Sequence, residues 1–125
     1  MKIRQDLIPR TFEEACGIVI TSLEDDDVVR IKAAKSAIQA GKNAHRNVGT
    51  LLMMQWGLVN RDTPLRQDFR KLFDGLAHPA DIVGFVLEFT AHAVRQEDWD
   101  IRFAVAKSKA HWDAMGRNYD GSLKT

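Results

Sequence analysis

QWGLVNRDTPLR (residues 55–66) decides how the rest of the chain reads. Trp56 closes an apolar run, and Gly57 follows at the position where a helix end turns left-handed. Leu58 is then placed to fold back on the last turn, which locks the indole against a core. After a short polar stretch, Thr63 and Pro64 give the opposite signal. A hydroxyl can cap a new helix there, and proline's missing N–H costs nothing in a first turn. One buried helix ends and another starts.

Upstream, the helix ending at Trp56 extends back to Lys42. Its first half is polar, with Lys42, Asn43, His45, Arg46 and Asn47, whereas LLMMQW (51–56) is apolar on every side. Such a helix needs cover all round, from its own core or from another chain. A preceding helix is expected over Asp26–Ala40, with Val28, Ile31, Ala34 and Ile38 inward and Gly41 as its terminator. The acids of EDDD (24–27) oppose that helix's positive end, and they lack the spaced oxygens and central glycine of a calcium loop. Thr11 and Glu14 have capping-box spacing and start a helix to about Leu23. Residues 1–10 are expected to form an arm.

Downstream, the helix opened by Pro64 carries an apolar stripe of Leu65, Phe69, Leu72, Phe73 and Leu76 and ends near Gly75. HPADI (78–82) repeats the punctuation, with His78 as N-cap and Asp81 near the positive end. Residues 82–94 are nearly all apolar, and Glu88, His92 and Arg95 form one wet edge. A last helix is expected over Asp98–Met115. Ile101, Val105, Trp112 and Met115 lie on its inward stripe, with Trp99 and Phe103 beside it, and GRNYDGSLKT (116–125) is left as a polar tail. No segment alternates as a strand does. The chain therefore reads as all-α: one compact domain over 1–125, of five to six helices packed as an irregular bundle.

Eighteen Lys and Arg against seventeen Asp and Glu leave a net charge of +1, so no global field draws in nucleic acid or an anionic membrane. Cys16 is the only cysteine, which excludes an intramolecular disulfide and a cysteine-based zinc site, and it falls on the buried side of the first helix. Neither a signal peptide nor a membrane span is visible, and a cytoplasmic location is expected.

Residues 45–82 resemble the core of an uncharacterised domain family of small bacterial and phage proteins. His45 and Gly49, then Trp56-Gly57-Leu58, then Leu65 and Phe69, then His78-Pro79 with Asp81 and Ile82 match that pattern in type and spacing. The chain departs from it at Met53 and Met54, where the pattern has Arg-Asn, at Val59 in place of an aromatic, and at Ala80 in place of the first Asp. The resemblance implies a helical fold and a bacterial or phage origin, and it names no activity.

Four histidines are scattered too widely to read as a metal site, and no cofactor is expected. Glu88 and His92 at i, i+4, with His45 or His111, could offer ligands, but a surface carboxylate–imidazole pair explains them as well. The reading drawn from the sequence is a non-enzymatic protein-interaction module that meets a partner protein or a second copy. Its candidate residues are His45, Met53, Met54, Trp56, His78, Asp81, Glu88 and His92, the methionines being soft, adaptable contacts. One alternative is a small enzyme or an anion- or metal-binding protein using His45, His78 and Asp81 at helix starts. A second is nucleic-acid binding through Arg61, Arg66, Arg70 and Lys71, among which Asp62, Asp68 and Asp74 are interleaved. Convergence of His45, His78 and Asp81 on one open pocket separates the first alternative from mere helix capping.

Overall fold

Side chains that take up free backbone amides set most of the helix starts. In the computed structural model, which describes residues 1–124, Thr11 Oγ1 accepts from Glu14 N at the head of α1 (Phe12–Thr21). Thr125, the end of the expected tail, lies outside the described residues. Asp27 accepts from Glu24 N at 2.9 Å and so opens α2 (Asp25–Ala33), as an acid of EDDD can. Its buried carboxylate also holds the Met1 ammonium at 2.8 Å, and Met1 and Ile3 lie against the core.

The helix expected over Asp26–Ala40 is split. α2 stops at Ala33, and Ser36 Oγ accepts from Gln39 N to start α3 (Ala37–Ala44). A residue far along the chain takes up the carbonyls left free at the break. Arg95 Nη1 donates to the carbonyls of Ile31, Lys32 and Ala34 at 3.1, 3.1 and 2.8 Å, which caps α2 with a cation where its dipole is negative. Gly41 ends nothing: it is buried in mid-helix, and a Cβ there would lie 3.1 Å from Glu88 Cα. The missing side chain lets α3 press onto the backbone opposite.

From α3 the rod continues through a π-helical turn, His45–Gly49, into α4 (Thr50–Gln55). Its end is the Schellman closure expected of Trp56-Gly57-Leu58. Gly57, at φ 65°, donates to Met54 O at 3.1 Å, and Leu58 N donates to Met53 O at 3.0 Å. Both Trp56 and Leu58 are buried. The second half of the rod is nevertheless covered only in part, for Leu51 and Met54 are 48% and 70% exposed.

Thr63 caps α5 (Pro64–Leu72), which buries Leu65 and Phe69, while Phe73 and Leu76 beyond it are also buried. Leu72, expected on the same stripe, faces out. α6 (Pro79–Arg95) runs through the middle, buried at Ile82, Val83, Phe85, Val86, Leu87, Thr90 and Ala91, and α3 and α1 lie along it. In α7 (Ile101–Ala114), capped by Asp100, the inward residues are Ala104 and Trp112. Ile101, Phe103 and Met115 are exposed, contrary to the expected stripe. Trp112 Nε1 donates to Asp81 Oδ2 at 2.8 Å, and that bond fixes the rotation of α7. The chain after α7 turns back, with Ala77 N donating to Tyr119 O at 3.0 Å.

With α3, the π turn and α4 counted as one rod, the described residues form six helical rods and no named strand. The fold is all-α. Phe12, Phe69, Phe73, Phe85, Phe89 and Trp99 form its aromatic centre, with Phe69 and Phe73 centroids 4.6 Å apart.

Arg95→Ala frees three carbonyls at once and is expected to lower unfolding free energy by about 1–3 kcal/mol in urea titrations. Arg70→Ala removes a cation exposed beside Asp62 and is expected to cost less than about 1 kcal/mol. Equal losses contradict the long-range cap.

Candidate functional site

The first turn of α6 is where the histidines and the aspartate acquire their positions. His45 sits in the π turn, not at a helix start, and its Nε2 donates to Ala80 O at 3.1 Å. A carbonyl can only accept, so the ring proton is on Nε2. Two glycines make the room. A Cβ on Gly49 would fall 2.4 Å from His45 Nδ1, and one on Gly84 would fall 3.5 Å from its Cδ2. The π turn and the two glycines thus leave room for an imidazole against α6, at a kind of irregularity that often marks functional sites.

Asp81 serves the opposite side of the same turn. Its Oδ2 takes the Trp112 indole proton, and its Oδ1 lies 3.4 Å from the Ser108 hydroxyl that donates to it. His78 caps the turn, with Nδ1 accepting from Ala80 N at 3.0 Å, and its ring lies 4.8 Å from that of Trp112. Burial holds the His78 imidazole below its ordinary pKa, with Asp81 pulling the other way. His78 O accepts from Asp81 N and Ile82 N at 3.0 and 3.1 Å. The amides expected to hold an anion are thus already taken.

Beyond this turn α7 stands off from α6, and a groove of about 440 Å³ opens between α3, α6 and α7. His45, Asp81, Glu88 and His111 line it, and His78 does not. Ile38, Phe85 and Ala104 give it an apolar lining. Phe103, 54% exposed, is also part of the lining, as are the exposed Lys42, Arg46 and Lys107. Glu88 is half-buried, and burial raises its carboxyl above the usual range, opposed by His92, Lys107 and Lys42.

The remaining candidates lie apart. His92 Nδ1 donates to Glu88 O at 2.8 Å, so the imidazole engages the backbone and not the carboxylate. Among the described residues no three His, Cys, Asp or Glu side chains could hold a metal ion together. Trp56 is inside the core, Met53 packs half-buried on it, and Met54 is exposed. Burial pushes the Cys16 thiol up to about 12, so it is not a ready nucleophile. Of the four cations near α5, Arg66 Nε donates to Ala77 O at 2.9 Å and Arg70 pairs with Asp62 at 3.0 Å.

A family model described as a domain of unknown function, DUF6794, matches residues 8–93. The chain belongs to this family. The DUF6794 match spans α1 to the last turns of α6, including His45, Gly49 and His78-Pro79, and stops before α7. Two walls of the groove thus lie in the DUF6794 segment and the third outside it. No curated protein and no solved structure matches the chain. No helix among the described residues is long and apolar enough to cross a membrane.

Lys42, Arg46, Phe103, Lys107 and Ser108 were not singled out as site residues by sequence reasoning. A signal existed: Lys42 and Arg46 share a helix face at i, i+4, as do Ala104 and Ser108, whose small side chains leave space.

Because the fold disfavours charged His78, the unfolded chain takes up that proton first as pH falls below 6.5. Its contribution to stability is full above that pH and is lost as pH falls toward the lowered folded value. His78→Asn keeps a capping acceptor, an amide oxygen in place of Nδ1. Its stability deficit relative to the natural chain is expected to shrink from about pH 7.5 to about 5.5 in urea titrations, and a constant deficit contradicts this.

Proposed function

We propose that the protein is a non-catalytic interaction module that holds a segment of a partner protein in the groove between α3, α6 and α7. One observation carries the reading. The groove is open and lined in part by apolar side chains, including the exposed Phe103, while two of its polar lining groups, His45 and Asp81, are engaged in holding the fold. His45 is tied to Ala80 O, and Asp81 to Trp112 and Ser108. An aromatic beside a concave, partly apolar surface is a typical anchor for a partner. The resemblance in residues 45–82 supports a bacterial or phage setting for this role, and the reading includes a cytoplasmic location. Leu51 and Met54, exposed on α4, offer a separate apolar contact for a second copy.

A second reading keeps the groove and adds chemistry. Glu88 holds its proton to higher pH than an ordinary carboxyl, which suits a proton donor, and His45 and Asp81 line the same groove. It differs from the sequence-based alternative in leaving His78 out.

Proteins captured by the natural chain from bacterial lysate, identified by mass spectrometry, can be compared with those captured by Ser108→Trp, which fills the groove, and by Phe103→Ala. Both variants are expected to lose a common partner about tenfold or more, with helicity unchanged by circular dichroism. Met54→Glu is expected to retain it. The reverse pattern, or capture unaffected by both groove variants, contradicts the reading.

A further inference from the structure

We propose that the groove selects an acidic segment of its partner, a stretch carrying carboxylates beside an apolar side chain. The inference rests on the reading of the groove as a docking site and adds the chemistry of the occupant.

Charge and its depth carry it. Lys42 and Arg46 border the groove on the α3 side and Lys107 on the α7 side, and all are exposed. None has an ion-pair partner among the described residues, so their charge is open to an incoming chain. The two carboxylates of the groove, Asp81 and Glu88, are half-buried, and Asp81 already accepts from Trp112 and Ser108. An approaching chain therefore meets three exposed cations before it reaches two recessed acids. A basic segment is repelled at the rim, and a neutral one leaves the cations unused.

The apolar lining supplies the other half of the specificity. Phe103, exposed on α7, together with Ile38, Phe85 and Ala104, can take one apolar side chain of the segment. Every cation here is solvent-exposed, so no built cradle exists for a free inorganic anion. A segment that bridges both sides gains from several weak pairs at once, and each pair alone is screened.

Fluorescence anisotropy with the full chain tests this, using three short peptides on one apolar frame with Glu, Gln or Lys at alternate positions and a neutral dye. The Glu peptide is expected to bind, the Gln peptide about tenfold more weakly, and the Lys peptide more weakly still. Lys42→Glu, Arg46→Glu and Lys107→Glu together are expected to invert that order. Glu88→Gln, which removes a recessed charge, is expected to tighten binding of the Glu peptide severalfold. Opposite effects of two changes in one groove cannot both come from unfolding. Inorganic phosphate is expected not to compete at millimolar concentration. Gln or Lys peptides that bind as tightly as the Glu peptide, and are blocked by Ser108→Trp, overturn the acidic preference and leave the docking site standing. Failure of all three peptides to bind, or binding that Ser108→Trp leaves unchanged, overturns both.

Discussion

The first turn of α6 is tied down on three sides, and the arrangement of the other helices follows from it. His45 reaches its carbonyl from the α3–α4 rod, Trp112 reaches its carboxylate from α7, and His78 closes its amides from within. Each bond spends a polar group that burial would otherwise leave unmade, and an unmade bond in such a place costs more than a made one contributes. That asymmetry makes the junction exacting. Gly49 and Gly84 belong to it as much as the histidine does, since a side chain at the first position would occupy the imidazole's own place.

The residues of 45–82 that carry the sequence resemblance acquire a physical meaning from this geometry. Trp56, Gly57 and Leu58 end the rod, Leu65 and Phe69 bury α5, and His45, His78 and Asp81 meet at one junction. Ala80 is instructive. Its side chain is only a methyl group, and the atom that matters in the junction is the backbone carbonyl that His45 binds. The structural demand is met without the side chain. Because α7 is pinned at Trp112 and faces α6 with Ala104 and Ser108, it leaves space beside the junction, and the groove is that space.

Local punctuation was legible in the sequence because capping depends on a few adjacent residues. Thr11, Thr63, His78 and the Trp56-Gly57-Leu58 closure act where the sequence places them. Features decided from a distance were not legible. The residues from Ala33 to Ala40 have good helix propensity, yet the helix breaks there, with Arg95 from more than sixty residues away capping the carbonyls. Gly41 has the spacing of a terminator but serves close packing against Glu88. The stripe of α7 does not follow its largest apolar residues: Trp112 is turned in to Asp81 by a hydrogen bond from another helix, and Phe103 lies outside. The groove itself is assembled from three helices, and of its lining only His45, Asp81, Glu88 and His111 stand out as chemistry-bearing residues in the sequence.

Native-state hydrogen exchange tests the central role of α6 most directly. The amides from Ile82 to Ala91, held by packing on most faces and anchored at the first turn, are expected to exchange last, only through global unfolding. Earlier, sub-global exchange of those amides, while α5 or α7 stays protected, would contradict the account.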